Sequence, residues 1–181
     1  KRIIKAYMTL EVILIVILII LSGFFSSSEA AYLSIQKTRL FHMINSKING
    51  AERVSKLLED KDKLLSTIVI GNNIVNIAFA ALLSGVFFNI TKNEIQTAFL
   101  TTIVGTIILM IFGEVLPKTI AVRMSEKISI LYSRPLKFLQ IVFAPVVFIL
   151  KLMIKGIENN SKIAKNSDSN SITEEELLTL I

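Results

Sequence analysis

VILIVILIILSGFFSSSEAAYLS, residues 12–34, decides the fold class. Its first part is unbroken aliphatic from Val12 to Leu21. Its second part sets serines at 22, 26, 27 and 28 and a glutamate at 29, where a helix crossing a bilayer would still be in lipid. A span needs about 20 mostly apolar residues, so residues 8–35 predict a long first crossing. The run is also longer than the apolar region of a secretory signal peptide. Working outward, the same criterion predicts spans at 64–88 and at 98–116, the last ended by Pro117. With 181 residues, 52% hydrophobic, the chain has the composition of a membrane protein and not of a soluble domain.

Charge orients these spans. Lys37, Arg39, Lys47, Arg53, Lys56, Lys61 and Lys63 lie between the first two, Lys92 alone between the second and third, and Lys118, Arg123, Lys127, Arg134 and Lys137 after the third. The positive-inside rule then places 37–63 and everything from 118 onward in the cytoplasm, 89–97 outside, and the N-terminus outside against the weaker pull of Lys1, Arg2 and Lys5. The net charge of +6 is accounted for at the membrane face, so no nucleic-acid partner is expected. Between the first two spans, Leu40, Phe41, Ile44 and Ile48, the Asn49-Gly50 turn signal, and then Val54, Leu57 and Leu58 predict a cytoplasmic helical hairpin over 37–63. The fourth apolar stretch, interrupted by Pro145, has lysines on its far side, so both its ends read as cytoplasmic. It predicts an interfacial belt element over 135–157. The fold class expected is therefore an all-α membrane protein: three transmembrane helices, a cytoplasmic helical hairpin, and a Pro-broken belt helix.

The polar residues inside the spans carry the chemistry. Ser22, Ser26 and Glu29 share one face of the first helix, and Asn72 and Asn76 one face of the second, with Asn73 beside it. In the third, Pro117 cannot donate to the Gly113 carbonyl, which must find another partner at membrane depth. A carboxylate there costs about 2.5–3.5 kcal/mol on insertion scales, so Glu29 and Glu114 should face protein or a wet cavity. The candidate ligands are Ser26, Ser28, Glu29, Asn72, Asn73, Asn76, the Gly113 carbonyl and Glu114, with Pro117 and Pro145 as conformational breaks. All the donors are oxygens. Mg²⁺ takes such ligands, whereas zinc and copper favour softer ones. There is no cysteine, and His42 is the lone histidine, read as structural. The competing reading is that serine, asparagine and glycine merely hold the helices together. No nucleophile–base pair points to an enzyme.

FFSSSEAAYLS, IGNNIVN and FGEVLPKTIA, in that order, resemble the transmembrane domain shared by the CNNM and CorC magnesium transport proteins, over about residues 8–160. By position, Ser26 matches the serine of the family's first motif, and Glu29 stands where some members carry Asn. Asn72 and Asn76 match G-N-x-x-V-N, and Gly113, Glu114 and Pro117 match G-E-x-x-P. Ser27 replaces the usual Gly. The resemblance implies a plasma-membrane homodimer that carries Mg²⁺, with export coupled to Na⁺ influx. A Mg²⁺-binding sensor or scaffold that regulates other transporters is the alternative. It also implies that residues 161–181, a polar linker followed by a Thr173/Glu176 capping box, lead into a cytoplasmic pair of CBS modules, through which alone ATP would act.

Overall fold

A computed structural model describes residues 2–150 and 152, with side chains described from Thr9 onward. These residues fall into two compact units, divided between Val142 and Phe143. The first unit is entirely helical: α1 (Arg2–Ser34), α2 (Lys37–Asn45), α3 (Ala51–Glu59), α4 (Lys61–Thr91), α5 (Glu94–Ile108), a π-helical segment (Leu109–Val115), α6 (Leu116–Arg123) and α7 (Ser125–Val142). Three continuous helical stretches are long and apolar enough to cross a membrane: Thr9–Ser34, Lys61–Thr91 and Glu94–Arg123.

The distribution of side chains suits lipid as solvent. Ile77, Phe99, Ile107 and Phe112 are exposed, while Ser22, Ser26, Ser27, Ser28 and Thr67 are buried. Water would reverse that arrangement; hydrocarbon does not. α1 lies at the centre, packed along α4, the π-helical segment, α6 and α7. Phe25, Tyr32, Leu40, Val54, Leu57, Leu64, Ile68, Val75 and Leu136 form one core that ties the hairpin to α1, α4 and α7. Ala30, Ala31 and Ala121 make a second contact, where small side chains bring α1 and α6 close.

The expected hairpin is α2 and α3. Its turn requires glycine, because Gly50 sits at φ +102° and a Cβ there would stand 2.8 Å from Ile130 Cγ2 of α7. Leu40 and Met43 supply the buried stripe of α2, while Phe41 and Ile48 are exposed. The connection between the second and third spans is shorter than the sequence suggests. Only Lys92 and Asn93 separate α4 from α5, and Asn93 caps α5 by accepting from the Ile95 and Gln96 N–H groups.

α7 begins at Ser125, ahead of the expected belt, and docks on the hairpin and α1. The Tyr32 hydroxyl donates to the Ser129 carbonyl at 2.8 Å, and Arg53 Nε to Ser133 Oγ at 3.4 Å. Tyr32→Phe removes one buried hydrogen bond, so it should cost about 0.5–1.5 kcal/mol. A lowered Tm in detergent with unchanged helix content is the expected result. In the second unit the chain resumes as α8, Ala144–Leu150. The helix breaks beside Pro145, as the sequence predicts: α7 ends at Val142 and α8 begins at Ala144, because proline has no N–H to donate to the carbonyl four residues back. Pro145 itself lies in the first turn of α8, where a missing N–H costs nothing, and the break falls two residues earlier, at Phe143. The end of the expected belt (153–157) and the expected linker (161–181) lie outside the described residues.

Candidate cation site

Where α1 crosses α4, three side-chain oxygens converge. Ser22 Oγ is 2.8 Å from Asn76 Oδ1 and 3.4 Å from Asn72 Oδ1. A hydroxyl has one proton, so it serves one amide oxygen at a time. Among the three oxygens themselves there is that one proton and six lone pairs; the asparagines' donors are on their amide nitrogens. The third span closes it from the side: a Cβ on Gly113 would stand only 2.8 Å from Ser22 Oγ. The close approach is reciprocal. A Cβ on Gly23 would meet Pro117 Cγ at 3.1 Å and the Phe112 carbonyl oxygen at 3.5 Å.

That contact falls on the irregular part of the third span. The Leu116 N–H donates to the Ile111 carbonyl, five residues back, and Pro117 has no N–H to donate. The π-helical turn absorbs the proline, so the helix continues to Arg123 instead of ending at residue 116 as the sequence predicts. π-bulges within helices frequently mark functional sites.

The carboxylates form a second cluster on the same face of α1. Lys118 Nζ lies 3.2 Å from Glu29 Oε2 and 3.0 Å from Glu114 Oε1. One ammonium therefore bridges two spans. Arg39, the nearest arginine along the chain, pairs not with Glu29 but with Glu126 at 2.8 Å. Seven residues separate Ser22 from Glu29, which is about 10 Å along a helix. Ser26 lies between them, 1% exposed, and its hydroxyl has no hydrogen-bond partner among the described residues. A buried hydroxyl left that way costs about 1–3 kcal/mol, which an incoming ligand would recover.

The structure thus sorts the candidate residues. Asn72, Asn76 and Gly113 gather around Ser22, Glu29 and Glu114 around Lys118, and Ser26 sits between. Ser28 is not brought to either cluster, because its hydroxyl donates to the Phe24 carbonyl of its own helix at 2.6 Å. Asn73 is exposed. Pro117 stands at the junction of the π-helical turn and α6. Two participants were absent from the candidate set, Ser22 and Lys118. The signals for them were present: Ser22 shares the Ser26/Glu29 face, and Lys118 is four residues beyond Glu114. No group of three or more His, Cys, Asp or Glu side chains that could hold a metal occurs among the described residues. Any cation here would rest on two carboxylates and neutral oxygens.

The family model described as the cyclin M transmembrane N-terminal domain, CNNM, matches residues 13–181. A UPF0053 protein of Haemophilus influenzae is 32% identical over 169 residues, covering 93% of this chain and 40% of its own length. The UPF0053 inner membrane protein YfjD of Escherichia coli is 35% identical over 167 residues, covering 89% of this chain and 37% of its own length. The chain therefore spans about two-fifths of the length of these relatives. With the match taking in the serine motif of α1, the asparagines of α4 and the π-helical Gly-Glu of the third span, this multi-pass membrane chain belongs to the CNNM family.

Proposed function

We propose that this domain is the ion pathway of a divalent-cation transporter whose cargo is Mg²⁺. The observation that carries the reading is the convergence of the Ser22, Asn72 and Asn76 side-chain oxygens, walled by Gly113. Hard oxygen donors suit Mg²⁺, which binds at about 2.0–2.1 Å and keeps some of its waters. Two carboxylates and neutral oxygens also suit a cargo ion, which must bind well enough to enter and loosely enough to leave. On this reading Glu29 and Glu114 attract the ion, and the Ser26 hydroxyl completes its path toward the Ser22 cluster. The π-helical turn at Gly113–Pro117 gives the third span a place to bend as access alternates. Export driven by Na⁺ influx, a homodimeric plasma-membrane assembly with the N-terminus outside, and control by a cytoplasmic CBS pair follow the family resemblance and complete the proposal. The domain is read as a carrier and not as an enzyme.

Calorimetric titration of the purified chain with MgCl₂ in detergent tests the reading. Saturable binding is expected, weakened about tenfold or more in Asn76→Ala, equivalent to about 1.4 kcal/mol. Equal binding by both chains, with a lowered Tm in the variant, would leave the cluster as a helix–helix fastening only. Mg²⁺ flux into liposomes, measured with an enclosed indicator, then separates a carrier from a sensor that binds without transporting.

A further inference from the structure

Lys118 sits where the cargo of a carboxylate pair would sit. We propose that its ammonium is a tethered stand-in cation, which occupies Glu29 and Glu114 when no divalent ion is present, must leave when one arrives, and so sets selectivity for divalent over monovalent cations. This rests on the cation-carrier reading.

The pairing with Glu114 is an ordinary i, i+4 contact on one helix. The pairing with Glu29 is not local: it joins the third span to α1. Without Lys118, two carboxylates would stand unneutralised inside the membrane whenever the site was empty, which is costly. With it, the empty site carries a net charge of only −1. The ammonium holds the two oxygens at 3.0 and 3.2 Å. Mg²⁺ binds oxygen at about 2.0–2.1 Å, so it would draw both carboxylates inward onto the position of Nζ. The two cations repel and cannot share that point. The flexible four-carbon stem, with the side chain about a third exposed, lets the ammonium swing aside. Exchange of +1 for +2 gains Coulomb energy. Exchange for Na⁺ gains no charge and forfeits the hydrogen bond to Glu114.

The test is titration of Lys118→Met with MgCl₂, in choline and in Na⁺ buffers. In choline, the variant should bind Mg²⁺ about tenfold more tightly than wild type, because the competitor is gone. Na⁺ at about 0.15 M should then weaken Mg²⁺ binding by the variant several-fold, but wild-type binding only slightly. Unchanged or weaker Mg²⁺ binding by a variant of normal Tm overturns the stand-in role, while leaving the Asn76-dependent binding of the wild type untouched. No binding by either chain overturns both readings. A wild-type readout covers the case in which the variant misfolds: acylation of lysines, followed by peptide mass spectrometry. Mg²⁺ should speed labelling of Lys118 relative to the exposed Lys61. Unchanged or slower labelling of Lys118 overturns the proposal.

Discussion

A Gly71→Val chain will lose the seat of α1 on α4. A Cβ at position 71 would stand 2.3 Å from Cε1 and Cζ of Phe25 and 2.9 Å from its Cδ1. The ring has little freedom to retreat. Phe25 is 4% exposed and belongs to the core shared with Tyr32, Leu64, Ile68 and Val75. It also packs edge-on against Phe24 at 5.2 Å, and Phe24 against Tyr132 at 4.6 Å. Overpacking a filled core costs about 1–3 kcal/mol, and a branched side chain in backbone-to-ring contact belongs at or above the top of that range. Thermal unfolding in detergent should show a strongly lowered Tm. Phe25→Leu in the same chain should restore part of it, so the two substitutions are expected to couple with opposite sign. Mg²⁺ binding should fall with the fold, because Ser22, less than one turn before Phe25, meets Asn76 across the same interface. A Gly71→Val chain as stable as wild type would mean that α1 and α4 pack in another register.

The sequence was most legible where one helix, read alone, held the answer. Hydropathy located the three crossings, Asn49-Gly50 located a turn that does need a positive φ, and helical spacing put Ser22, Ser26 and Glu29 on one face. It was less legible where hydrogen-bond register or a distant partner decided. A π-helical turn leaves hydropathy unchanged, so Pro117 read as a stop when the helix passes through it. Three consecutive serines offered three hydroxyls, but successive residues turn by about 100°. Ser27 and Ser28 therefore point elsewhere and bond to carbonyls of their own helix. Lys118 read as one of many cytoplasmic charges. Only the packing of α1 against the third span brings it to Glu29, and that contact joins residues 89 positions apart. The serine–asparagine contact is equally non-local, which is why helix fastening and ion binding could not be separated from sequence.

Gly113→Ala is the substitution that separates those two roles. Its Cβ would stand 2.8 Å from Ser22 Oγ and 3.3 Å from Ser22 Cβ and Leu109 Cδ2. Serine can yield by turning about one bond, but the turn moves Oγ off Asn76 and disperses the oxygens. The fold loses little: about 1 kcal/mol for one hydrogen bond, offset by up to about 1 kcal/mol of helix propensity gained over glycine. The site loses its geometry, and Mg²⁺ affinity should fall tenfold to a hundredfold, or about 1.4–2.7 kcal/mol. Gly85→Ala is the matched control, since a Cβ there meets nothing within 4 Å. It should keep wild-type affinity and raise stability slightly. The diagnostic result is therefore a split between readouts: calorimetric Kd changed at 113 and not at 85, with Tm close to wild type in both. If Gly113→Ala binds Mg²⁺ as the wild type does, the Ser22–Asn76 contact only fastens helices, and the ion path must run through the carboxylate pair alone.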